Sequence, residues 1–88
     1  MSSDPFVDEM RKRISALDRE LFETVNRRID LVAELKRYKE RAGIGFVDPG
    51  REAQMVAEQL AANTGPLSEQ GLRTLYAELL ALTKREVG

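Results

Sequence analysis

The 88-residue sequence contains no cysteine and no histidine. Without cysteine there is neither a disulfide nor a thiolate metal site. Without histidine, the commonest general base and the commonest metal ligand are both missing. Nucleophilic catalysis of the Ser-His-Asp or Cys-His kind is thereby excluded, and zinc loses its usual ligands. An excess of one charge is missing too: 14 basic and 15 acidic residues leave a net −1, with the two signs interspersed. That is not the basic footprint of a nucleic-acid-binding protein. No apolar run approaches the ~20 residues of a membrane span. The opening residues, MSSDPFVDEM, have neither the basic stretch nor the apolar core of a signal peptide. The expectation is a soluble cytoplasmic protein, with no nucleic acid or membrane as partner and no metal.

What is present is helix-forming sequence. Between Pro5 and Gly43 there is neither proline nor glycine, and Met10, Ile14, Leu17, Leu21, Val25, Val32 and Leu35 recur at steps of three, four or their sum, seven. This spacing predicts one amphipathic helix. At 1.5 Å per residue it runs on the order of 50 Å. A compact chain of this size has a radius of gyration of only about 12 Å, roughly 30 Å across. The helix is too long for its own domain, and a second copy of the chain is the simplest cover for its stripe.

Ala42, Gly43 and Gly45 end that helix, with glycine available for a left-handed cap. A second helix is expected from Asp48 to about Asn63, with Met55, Val56 and Leu60 on one side. Gly65 and Pro66 break the chain, Ser68 is placed to cap, and a third helix follows over 69–87. Its buried side is expected to carry Leu72, Leu75, Tyr76, Leu79 and Leu80. The fold class is all-α: one long, one short and one medium helix, forming a single domain over 1–88 with residues 1–7 as a flexible N-terminal tail.

Charged residues fall where the core should be. On a helical wheel at ~100° per residue, Arg28 and Lys39 lie near the centre of the apolar stripe of the first helix, and Arg11 lies toward its edge. Arg28 has two readings: a device fixing coiled-coil register through a partner carboxylate, or a cavity-lining fork for an anionic ligand. Two cations on one stripe with no carboxylate between them repel unless an anion sits there. Lys39 taken alone favours the helix dipole and reaches for water, and Arg11 within RKR suits a solvated face. Thr83, on the apolar side of the third helix, either back-bonds to its own helix or offers its hydroxyl to a pocket.

The stretch GFVDPGRE, residues 45–52, is a further misfit. Asp48 suits a cap and Pro49 a first turn, but a capping box asks for a carboxylate at position 51, where Arg51 stands. Glu52 comes one residue late.

Taken together, MRKRISALDREL, RRIDLVAELKRYK, VDPGRE and GPLSEQGLRTLYAELL closely resemble the all-α chorismate mutases of the AroQ class. The resemblance runs from about residue 8 to about 86. It implies an intertwined homodimer with two equivalent sites, and the Claisen rearrangement of chorismate to prephenate without a cofactor. It further implies that Arg11, reaching from the other subunit, and Arg28 bind the substrate carboxylates. Lys39 would bind carboxylate and donate to the ether oxygen. Arg51 would support the site and balance the charge beside Glu52, while Glu52 accepts from the ring hydroxyl, helped by backbone at Asp48. Thr83 stands where the family commonly has a serine near a carboxylate.

One position departs. The family usually has Gln or Glu four residues after that serine or threonine, as a second donor to the ether oxygen, and here Val87 stands there with Glu86 beside it. Either the register slips and Glu86, when protonated, takes the role, or the donor is absent, or the chain is a fragment. The departure implies activity lower than a typical member's, or rising at low pH. Two other readings share the pattern: an isochorismate-pyruvate lyase, and a weakly active regulatory or dimerisation domain of an aromatic-pathway enzyme. The intact VDPGRE favours the mutase over the lyase.

Overall fold

A computed structural model describes residues 4–46 and 48–88 of the chain. Three helices follow one another: α1 over Pro5–Ala42, α2 over Pro49–Ala62 and α3 over Glu69–Val87. No strand occurs among the described residues.

Each helix starts where local chemistry satisfies its free N–H groups. α1 begins earlier than a tail over 1–7 allows. Asp4 Oδ1 accepts from the Phe6 N–H at 2.9 Å and the Val7 N–H at 3.3 Å, and Pro5 takes the first helical position. An aspartate followed by proline is a helix start, and it draws residues 5–7 into α1. Met1–Ser3 of the expected tail lie outside the described residues, as does Val47. Asp48 caps α2 by accepting from the Arg51 N–H at 3.1 Å, and Ser68 caps α3 by accepting from the Gly71 N–H at 2.9 Å.

The C-terminus of α1 closes on glycine. Gly43 has φ +71°, the Gly43 N–H donates to the Glu40 carbonyl, and the Ile44 N–H donates to the Lys39 carbonyl at 2.8 Å. This pair of bonds is a Schellman motif, which needs a left-handed residue at Gly43. The same turn fixes the backbone of Lys39.

The chain divides into two compact units, one ending at Leu31 and one running from Val32 to Gly88. In the first, α1 leaves its stripe uncovered: Ile14 is 58% exposed, Leu17 63% and Leu21 52%. In the second, α2 packs against α3. Met55, Val56 and Leu60 of α2 are half-buried, as are Tyr76, Leu79 and Leu80 of α3. Among the described residues only Leu72 and Thr83 are buried. Leu75, expected inside, is exposed instead, since periodicity marks which face of α3 is apolar and not how much of it a neighbour covers.

Replacing Gly43 by alanine puts a Cβ on left-handed backbone, which costs about 1–2 kcal/mol. We expect Gly43→Ala to lower the urea midpoint at unchanged m-value. An unaltered midpoint would show that this turn does not hold the end of α1.

Candidate active site

The candidate residues divide between the units. Arg11 and Arg28 belong to the first, on α1; Arg11 is exposed and Arg28 half-buried. The others belong to the second unit, where the end of α1, the turn after it, α2 and α3 position them.

Lys39 is half-buried in the last turn of α1. Its ammonium donates to the Phe46 carbonyl at 3.5 Å, the long limit of a hydrogen bond. Lys36, one turn earlier, also reaches Phe46: its ammonium lies 5.7 Å from the ring centroid and donates to the Val87 carbonyl at 3.1 Å. A lysine on the last carbonyls of a helix complements the dipole of α3.

The α2 start sends its two charged residues different ways. The Arg51 guanidinium lies 3.6 Å from Glu58 Oε1, and the two side chains are about half exposed. Glu52 instead pairs with Lys84 of α3, whose ammonium is 3.4 Å from both carboxylate oxygens. The Glu52 side chain is 26% exposed and that of Lys84 46%. The expectation that Arg51 balances Glu52 is therefore corrected. Successive residues on a helix point about 100° apart, so neighbours in sequence do not face each other.

Thr83, next to Lys84, is buried at 3% exposure and its hydroxyl donates to the Leu79 carbonyl at 2.7 Å. Back-bonding, the ordinary role of a threonine on a helix, is thus present. Glu86 is exposed and Val87 half-buried. Sequence reasoning did not single out Lys36 or Lys84. Each lies in a helix rich in charge, and only the packing of the second unit brings Lys36 to Val87 and Lys84 to Glu52.

Cations and carboxylates make up most of this set, and it contains neither a thiol nor an imidazole. Guanidinium and ammonium groups carried on helices suit the binding of an anion. The sequence matches the family described as chorismate mutase type II over residues 10–87. The chain belongs to that family, and is by that membership an isomerase. Two relatives are named 4-amino-4-deoxychorismate mutase. The one from Streptomyces venezuelae is 38% identical over 78 residues, covering 86% of this chain and 75% of the relative. The other, from Streptomyces pristinaespiralis, is 33% identical over 86 residues, covering 96% of this chain and 65% of the relative. Chorismate mutase (Form II) from Thermus thermophilus superposes with a TM-score of 0.86 at 29% identity, with 90% of each chain covered.

Proposed function

We propose that the protein works in the cytoplasm as a homodimer and rearranges chorismate to prephenate. The reaction is a [3,3] shift: the ether C–O bond breaks as a C–C bond forms, and no atom enters or leaves. It needs no nucleophile, no metal and no obligatory proton transfer, which suits a chain without cysteine or histidine. It needs a substrate held in its diaxial-like conformer, with donors aimed at the charge that grows on the ether oxygen.

The observation that carries this reading is the span of the family match: residues 10–87 take in every residue of the candidate set. Arg11 and Arg28 grip the two carboxylates. Lys39 donates to the ether oxygen, and a contact as long as 3.5 Å to the Phe46 carbonyl is one that an anion readily displaces. Glu52 accepts from the ring hydroxyl beside the Asp48 backbone, and Arg51 supports the start of α2. Thr83 stands near a carboxylate.

Two features support the dimer. Arg11 and Arg28 share one helix about 25 Å apart along its axis, too far to hold one small molecule together. If two copies of α1 pair antiparallel about residues 20–25, Arg11 of one chain reaches the 28–39 region of the other. The exposed Ile14, Leu17 and Leu21 supply the apolar seam, each worth about 1.5–3 kcal/mol when fully buried.

The names of the two Streptomyces relatives favour a second reading, in which the same rearrangement runs on 4-amino-4-deoxychorismate.

The direct test follows chorismate consumption by the wild type beside Arg28→Ala and Lys39→Ala. Each substitution is expected to lower kcat/KM by on the order of 10²-fold or more. Variants that match the wild type would remove these residues from the site.

A mixing experiment tests the shared site. Arg11→Ala and Lys39→Ala proteins are each nearly inactive, but unfolded together and refolded they form mixed dimers with one intact site. Recovery of about a quarter of wild-type activity is expected from random pairing. No recovery would assign both residues to one chain.

Val87 offers a gain of function. If its apolar side chain leaves the ether oxygen one donor short, Val87→Gln raises kcat by on the order of tenfold or more. An unchanged kcat would mean that no donor is missing there.

A further inference from the structure

The pairing of Glu52 with Lys84 has a consequence for which substrate the site accepts. In the proposed function, which this inference rests on and deepens, Glu52 accepts from the group carried at one ring carbon. That group is a hydroxyl in chorismate and an amino group in 4-amino-4-deoxychorismate. The hydroxyl is neutral, whereas an aliphatic amine is largely protonated near neutral pH. A carboxylate standing alone attracts the cation more strongly than the hydroxyl. Glu52 does not stand alone, because the Lys84 ammonium lies 3.4 Å from both of its oxygens.

An ammonium bound to Glu52 at hydrogen-bond distance would stand within about 6 Å of the Lys84 ammonium. Like charges at that range oppose each other, and a flank only 26% exposed on the Glu52 side limits the screening. A hydroxyl meets no such opposition. A carboxylate has about four lone-pair sites, so Glu52 can accept from Lys84 and from a hydroxyl together. We infer that Lys84 is a specificity-determining residue, which by pairing with Glu52 selects a neutral hydroxyl over an ammonium at that ring position.

The ordinary alternative is a clamp between α2 and α3. With Lys84 46% exposed, such a pair adds little to the stability of the fold. A clamp would move stability and leave the preference between substrates untouched, so the ratio of the two kcat/KM values separates the roles.

The experiment measures kcat/KM for both substrates with wild type, Lys84→Met, Lys84→Gln and Lys84→Arg, each checked for helicity by circular dichroism. Wild type is expected to prefer chorismate. Lys84→Met is expected to shift the ratio toward the amino substrate by about tenfold, chiefly through KM. Lys84→Gln carries the same comparison should the methionine variant not fold, and Lys84→Arg restores the wild-type ratio. A ratio that stays constant across the variants, or a wild type that prefers the amino substrate, overturns the inference while leaving the reaction in place. Absence of turnover on both substrates by wild type overturns the reaction and the inference with it.

Discussion

A helix buries its apolar stripe only where neighbours lie against it, and α1 carries more stripe than this chain covers. No residue of α1 is buried, and Ile14, Leu17, Leu21 and Leu35 are each about half exposed or more. Buried apolar surface is the main favourable term in folding, and under the proposed function a second copy of the chain supplies more of it. The same stripe carries Arg28 and Lys39. Covering it with an apolar surface alone would press cations against an apolar wall, at a large free-energy cost. A partner that also brings an anion, or leaves room for one, removes that conflict. Under the proposed function the requirement that completes the fold is also the one that completes the site.

The caps do a second job. Asp48 and the Schellman turn at Gly43 each satisfy the backbone at a helix end, and each stands beside a candidate residue. Gly43 fixes the turn from which Lys39 projects. Asp48 sets the first turn of α2, and with it the directions of Arg51 and Glu52. Backbone hydrogen bonds hold these side chains more firmly than surface ion pairs would, since an exposed pair such as Arg51 with Glu58 contributes about 0–1 kcal/mol.

Much of this is legible in the sequence, for a physical reason. Helix starts and stops depend on neighbours three or four residues away, so Asp48, Ser68 and Gly43 announce their roles. The start at Pro5 is easily missed because the short SSDP stretch reads as tail, although Asp4 and Pro5 form the same kind of signal as Asp48 and Pro49. Periodicity misplaces Leu75 because it shows which face is apolar and not how much of that face is covered. Charge pairing is the least legible feature. Arg51 and Glu52 are adjacent in sequence, yet their partners are Glu58 and Lys84. The first lies two turns along the same helix; the second lies on another helix, and no local rule predicts it.

Under the proposed function catalysis rests on charge and position, so each charge must be placed against the others as well as against the substrate. Lys39 rests on a carbonyl at the edge of hydrogen-bonding distance, Lys36 caps the end of α3, and Lys84 faces Glu52. A rearrangement suits such a site, because its transition state differs from its ground state mainly in where negative charge lies. The residues that set its rate and those that set its selectivity are then of one chemical kind. A lysine near the ether oxygen stabilises growing charge, while a lysine near the acceptor carboxylate changes which donor that carboxylate welcomes. The misfit at Arg51 and Glu52 has its place in this structure: the helix start turns Glu52 toward Lys84 of α3 rather than back onto the cap, and under the proposed function a substrate group shares that carboxylate.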